Sequence, residues 1–305
     1  MKRLLIAALL WLTPVAAHAD GIGLRLTIPD VAMLGNNKPL FLDTLGATAS
    51  SFFAPVRVRG AYTGPWATIE RASDSTTKLI GFDGNIADVA TAAIFCVNTT
   101  CSFARYNDQS GNGNDFVEVT AANQPALVLS CQNGLPCARG NGTSSCMVAS
   151  GGASLASPET LLLAARSVAH PASYGNFIEY STTQVAQQSS AIGDTSGNWW
   201  FGGSNVDATV YDSTVNWNLA AHTFIKVLNG TTLAFYIDTG GTATGGGTVT
   251  AYSGGNTHMG LLAQAECGSN FIQGDIFWFG TFQSALSSAQ IAAAYAASKA
   301  TWNTP

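Results

Sequence analysis

Apolar and polar residues alternate at a period of two along most of this chain, in short runs broken by Gly, Pro, Asn and Asp, a pattern that predicts strands. Val56 to Arg59 alternates strictly, and ATIERA (67–72) does so again after the Gly64-Pro65 turn. NQPALVLS (123–130) and PCARG (136–140) flank Gln132-Asn133-Gly134, a hairpin signal. Further strands are expected over 160–166, 176–180, 198–202 and 208–211. His222 to Asp238 reads as a hairpin in which Asn229-Gly230 suits a type I′ turn. A Gly/Thr-rich loop (239–248) then leads to strands over 257–263 and 271–280.

Helical pattern is confined to two places. Asn85 can cap a short helix over Ala87 to Phe95, with Asp88 in its first turn. Ser287 to Gln290 makes a capping box ahead of IAAAYAA, a run of good helix formers. Asp20 to Phe53 shows little periodicity and reads as an N-terminal arm. The expected organisation is a leader (1–19), an arm (20–54) and one all-β sandwich domain (55–305) with short helices, one of them C-terminal.

Composition agrees with that class. Only 10% of the 305 residues are charged and 32 are Gly, which suits a sandwich with many turns. The net charge of −5 gives no footprint for nucleic acid or an acidic membrane surface, so neutral partners such as uncharged polysaccharide or oligosaccharide fit better. Lys2 and Arg3, the apolar run Leu4 to Leu12 and Ala17-His18-Ala19 form a leader with an A-x-A cleavage site. No apolar run is long enough for a membrane span, and the mature protein is expected to be secreted or periplasmic after cleavage near Ala19.

Six cysteines in an exported chain favour disulfides. The 132–134 hairpin would bring Cys131 to Cys137, Cys96 and Cys101 close a four-residue loop, and Cys146 and Cys267 remain to pair over a long distance. Fifteen connectivities are open, and spacing only favours this one.

Between Cys96 and Asn114 the chain reads CVNTTCSFARYNDQSGNGN. Gly111 and Gly113 can take positive φ, and Asp108, Ser110, Asn112 and Asn114 can hydrogen-bond their own backbone, so this stretch is expected to be a rigid corner. Asp108-x-Ser110-x-Asn112-Gly113 is superficially a calcium loop, but Val119 stands where such a loop needs its bidentate Glu, and a self-bonded turn is expected with no metal. His170, His222 and His258 have no ligand spacing, the residues around Ser190 lack a nucleophile elbow, and no cofactor is expected.

The same stretch, with SDSTT (73–77) and GNIAD (84–88), resembles the catalytic domain of secreted α-L-arabinofuranosidase B, which has Cys-x-x-x-x-Cys and D-Q-S-G-x-G-N at the same separation; Asn107 departs from an aromatic in that family. The later strands, ending in FIQGDI and LSSAQ, resemble the concanavalin A-like or laminin G-like jelly roll, a pattern that speaks for fold rather than activity. The resemblance implies a retaining glycoside hydrolase with a Glu nucleophile on an acidic strand and an Asp acid/base just before the last sheet strand. Glu266 falls within a residue of the second position. For the first, residues 198–203 (NWWFGG) contain no Glu, the family's vicinal cysteines are missing, and Glu179, in FIEY, is the candidate.

Glu179 otherwise reads as a solvent-facing strand residue and Glu266 as a loop acid beside a disulfide. Trp199 and Trp200, adjacent on a strand, face opposite sides, so one can stack on a sugar while Asn198 or Asp194 bonds its hydroxyls; Trp278 reads as core. The expectation is an arabinofuranosidase-like hydrolase with Glu179 and Glu266 as carboxylates. The alternatives are a non-catalytic, lectin-like carbohydrate-binding module and a structural surface or tail-type protein.

Overall fold

The computed structural model describes residues 39–150, 156–169, 175–181, 189–193, 199–202, 211–213, 219–248 and 258–305, with backbone alone for 150, 181, 189–193, 199–202, 211–213 and 265. Every strand pairing in it is antiparallel. One layer runs, in order of pairing, Thr77–Ile80, Ala67–Arg71, Cys101–Tyr106, Phe116–Val117, Met147–Ser150, His258–Leu261, Gly175–Ser181, Ser189–Gly193, Trp199–Gly202 and Tyr211–Ser213. The other runs Gly245–Thr248, Thr232–Ile237, His222–Asn229, Glu159–Ser167 and Gly274–Phe282, whose far edge pairs with both Ala49–Phe53 and Leu135–Arg139. The Ala126–Gln132 strand joins the layers, pairing with Leu135–Arg139 and meeting Ser102 through Ala126.

Between the layers lies an aromatic core that includes Phe53, Trp66, Phe103, Tyr106, Phe116, Phe177, Tyr180, Phe224 and Phe279. A second core lies on the outer side of the second layer. There helix α1 (Phe41–Leu45) and helix α3 (Ser288–Trp302) cover Phe52, Phe277 and Trp278. Trp278 is 2% exposed and meets Phe52 edge-on at 5.5 Å, and Phe277 stacks on Trp302 at 5.3 Å. These rings remove the largest apolar areas from water and hold the helices to the sheet. The Ser287/Gln290 capping box starts α3 as the sequence predicts.

Two charged groups are built into this frame. Across three neighbouring strands Arg166, Asp275 and Arg139 stand in register. The fully buried Asp275 accepts from Arg139 Nε at 2.6 Å and Nη2 at 2.9 Å, and from Arg166 Nη2 at 2.5 Å. Between the layers, Lys226 Nζ lies 2.6 Å from Glu159 Oε1, with side-chain exposures of 0% and 1%.

The corner at Asp108 is built from its own polar groups. Asp108 accepts from Phe52 N at 2.8 Å, Ser110 N at 2.9 Å, Ser110 Oγ at 2.7 Å and Asn114 N at 3.1 Å. Gln109 bonds Val58 N, Ala54 O and Val56 O, so the turn ties the first layer to the Ala49–Phe53 edge of the second. Gly111 and Gly113 take φ of +90° and +74°. Disulfides close Cys96–Cys101, Cys131–Cys137 and Cys146–Cys267, each with Cα atoms 5.7–5.8 Å apart.

Several expectations shift. Val56 to Arg59 is not a strand. Apart from one bridge between Val56 and Ile86, its N–H groups go to Asn85 O and Gln109 Oε1, so a side chain takes the place of a neighbouring strand. Residues 49–53, assigned to the arm, form an edge strand whose burial does not alternate, which hid it from a period-two search. Helix α2 spans Val89–Phe95 and is capped by Asp88, not Asn85, since the Asp88 carboxylate accepts from Thr91 N at 2.9 Å. Asn229 pairs with Thr232, so the hairpin turn is Gly230-Thr231, one residue later than expected.

Tyr62, whose hydroxyl donates to Pro65 O at 2.7 Å, has its pKa pushed up to about 12 by burial and by the nearby Asp115 and Asp108 carboxylates. Its folded pKa exceeds the unfolded value of ~10, so the folded state holds this proton longer and stability falls as pH rises from about 10 towards 12. Ultraviolet difference titration is expected to show a late tyrosine that is absent in Tyr62→Phe.

Candidate active site

The strand Gly175–Ser181 brings Glu179 to the outer face of the first layer. Its neighbours Ile178 and Tyr180 point into the core with Met259 and Leu261, so Glu179 takes the opposite face by alternation. A bulge between Asn176 and Ile178 puts Asn176 on the same side, where its Nδ2 donates to Glu179 Oε2. Glu179 is fully buried, which corrects the solvent-facing reading of this residue. Period-two alternation finds the face and not what covers it.

Opposite Glu179 stands Gly260, which contributes no side chain. Two residues back on the same strand and face, His258 lies diagonally across from Glu179, a spacing of about 7–8 Å. His258 Nδ1 lies 3.2 Å from Glu266 Oε1, with side-chain exposures of 33% and 32%.

The His258–Leu261 strand ends before Glu266, so the chain must fold back over its own outer face for this contact. Left-handed backbone at Leu262 (φ 67°), Glu266 (φ 66°) and Cys267 (φ 61°) makes the reversal, and Gln264 N bonds Ser269 O at 2.9 Å. The Cys146–Cys267 disulfide pins it to the adjacent strand, because Cys146 precedes Met147, which pairs with Leu261. Glu179 thus stands opposite Gly260 with the Asn176 amide on one oxygen, and Glu266 lies at ion-pair distance from His258, two residues back from Gly260 on the same strand.

The register also brings the tryptophan strand to this region. Trp200 pairs with Ile192, which pairs with Asn176, while Trp199 pairs with Gly193 and Ser213. Trp200 thus stands in the cross-strand row that contains Asn176, with Asp212 beyond it. Asp194 and Asn198 lie outside the described residues, as does His170. His222, which spacing left without a role, bonds Asp238 Oδ2 through Nδ1 at 2.6 Å at the far end of the second layer. An apolar hollow between α1, α3 and Trp278 has no acid in its lining. Sequence reasoning missed Asn176 and His258 as neighbours of the acids; Asn176, three residues before Glu179 on one strand, was within reach of a pattern search.

The molecule is thus a jelly-roll β-sandwich carrying two carboxylates on one outer face. Residues 46–137 match the family model described as alpha-L-arabinofuranosidase B, catalytic. Over 60 residues the chain is 45% identical to alpha-L-arabinofuranosidase B of Emericella nidulans, covering 19% of this chain and 12% of that protein. Over 59 residues it is 41% identical to an arabinofuranosidase/B-xylosidase of Trichoderma koningii, with the same shares covered. Among solved structures, a GH54 arabinofuranosidase soaked with a cyclic sulfate inhibitor superposes with TM-score 0.66 at 16% identity, covering 86% of this chain and 64% of that one. An arabinofuranosidase complexed with arabinofuranosyl-alpha-1,2-xylobiose gives 0.64 at 17% identity, covering 84% and 64%.

Over residues 46–137 the chain is thus similar to the arabinofuranosidase B catalytic domain, and it spans about an eighth of the length of the curated relatives it matches. The matched segment holds the Asp108 corner and the first two disulfides. Glu179 and Glu266 lie outside it. Among the described residues, no helix is long and apolar enough to cross a membrane.

Proposed function

We propose that this protein is an exported glycoside hydrolase that removes α-L-arabinofuranosyl side chains from neutral polysaccharide, with retention of configuration. The observation that carries the reading is the placement of Glu179 opposite Gly260 on the strand whose His258 lies 3.2 Å from Glu266, in the layer that also holds the Trp200 strand. The arabinofuranosidase similarity over 46–137 supplies the sugar class, and the leader pattern with three disulfides supports export.

In this reading Glu179, oriented by the Asn176 amide, attacks the anomeric carbon as the glycosidic C–O bond breaks, and Glu266 gives its proton to the leaving oxygen. Glu266 then takes a proton from the water that cleaves the glycosyl ester, returning both carboxyls to their starting state. Retention requires the two carboxyls to close to about 5–5.5 Å in the working complex. One of Trp199 and Trp200, with Asn198 or Asp194, is assigned to stacking on the sugar and bonding its hydroxyls.

The test is turnover of an aryl α-L-arabinofuranoside, with the product anomer followed by NMR from the first minutes. Release of the α anomer supports the reading. Saturable binding of arabinan or arabinoxylan without turnover would instead define a binding module.

A further inference from the structure

We propose that Cys146 and Cys267 are positioning residues whose disulfide sets the place of Glu266, an inference that rests on the hydrolase reading above and gives the bridge a part in the reaction. Glu266 and Cys267 adjoin in the chain, and both take left-handed backbone, with φ of 66° and 61°. Successive residues other than glycine hold that conformation only where their surroundings impose it. The bridge is such a constraint, because it ties Cys267 to the fully buried Cys146, one residue before the Met147–Ser150 strand.

The rest of the loop is held mainly at its neck. Leu262 N donates to Phe177 O at 2.8 Å, Ile272 N to Leu262 O at 3.1 Å and Asn176 N to Asn270 O at 2.8 Å. The last of these joins the loop to the residue whose side chain bonds Glu179. Nearer the tip, Gln264 N bonds Ser269 O and Cys267 N bonds Gln264 O, both at 2.9 Å. The tip itself is tied to the sheet through the bridge and through Glu266, whose Oε1 lies 3.2 Å from His258 Nδ1.

The consequence is chemical because Glu266 is the adjoining residue. With the bridge opened, the two left-handed residues relax toward negative φ, and that rotation carries the Glu266 carboxyl away from the leaving oxygen. A displacement of about 1 Å can cost about 100-fold in rate. The loss falls on departure of a poor leaving group, which needs the proton of Glu266, and spares a leaving group that is stable as an anion. A bridge across 121 residues also stabilises the domain as a whole, an effect that does not depend on the leaving group.

The experiment opens the bridge in two ways, Cys146→Ala with Cys267→Ala and Cys146→Ala with Cys267→Gly, with Glu266→Gln as reference and circular dichroism to check folding. Rates are measured on a dinitrophenyl arabinofuranoside and on an unactivated arabino-oligosaccharide. On the oligosaccharide the alanine pair is expected to lower kcat by about 10- to 100-fold with KM within about twofold. On the dinitrophenyl substrate kcat/KM, which reports the first bond-breaking step, falls several-fold less. Glycine takes positive φ without strain, so the glycine pair recovers part of the loss on the oligosaccharide although it opens the same span. If the alanine pair alone does not fold, the substrate comparison is made on the glycine pair, with the same selective loss expected.

Wild type without turnover overturns the hydrolase reading and this role with it. Turnover insensitive to Glu266→Gln overturns the assignment of Glu266 and the role together. With both of those intact, a folded alanine pair that loses nothing, loses equally on the two substrates or matches the glycine pair overturns the role alone. Failure of both pairs to fold does the same, since the bridge would then be a support of the whole domain.

Discussion

Glu179→Gln is expected to abolish measurable hydrolysis of an aryl arabinofuranoside, a loss of about 10⁴-fold or more in kcat, while the protein stays folded. Removing a nucleophile usually has this size of effect, because the remaining interactions catalyse only weakly. The amide replacement keeps the shape of the buried site and a partner for Asn176, whose own amide can turn to suit it. Glu266→Gln is expected to cost about 10² to 10⁴-fold, the range of a general acid, and less on substrates whose leaving group needs no proton.

The two roles separate by rescue with azide. In Glu266→Gln the glycosyl ester on Glu179 still forms, and azide displaces it to give an arabinosyl azide of retained configuration. In a Glu179→Gly variant azide enters the vacated position and gives the inverted product. Chromatography and NMR of the products decide between them, and the opposite pattern would exchange the roles.

The largest effect on stability is expected from Lys226→Ala. Lys226 and Glu159 face each other between the layers at 2.6 Å with essentially no exposure. Removing the cation takes the ion-pair partner from a buried carboxylate, a loss of about 3–5 kcal/mol. The double variant Lys226→Met with Glu159→Leu removes both charges and fills the volume, so it is expected to recover most of the loss or exceed wild type. Urea unfolding of wild type, Lys226→Met, Glu159→Leu and the double variant measures the cycle. Additive losses in the two single variants and the double one would show that the pair is not a unit.

Legibility in the sequence followed the range of the interaction. The bend at Asp108 was readable because its carboxylate bonds Ser110 and Asn114, two and six residues on, a known habit of such side chains, whereas the ties of Gln109, Asn112 and Asn114 to residues 49–58 lie beyond local reach. The capping box of α3 and the 132–134 hairpin were readable for the same reason. Val56 to Arg59 misled because alternation reports which side chains are buried and not what satisfies the backbone, and there Gln109 does that work.

The candidate site was the least readable part. Glu179 and Glu266 became candidates through resemblance, but their common face depends on the pairing of Glu179 with Gly260 and on a reversal pinned by a disulfide across 121 residues. Neither register nor reversal is encoded locally. Lys226 shows the same limit. In HTFIKVL it alternates with apolar residues as a solvent-facing lysine would, and its inward position is matched by Glu159 on the neighbouring strand.

A nucleophilic Glu179 becomes covalently bound to the sugar during turnover. Rapid acid quenching of the Glu266→Gln variant with an activated arabinofuranoside, followed by proteolysis and mass spectrometry, tests it most directly. A pentosyl ester is expected on the peptide containing Glu179 and on no other peptide. A pentosyl group on a different carboxylate, or steady turnover with an inverted product and no ester at all, would contradict it.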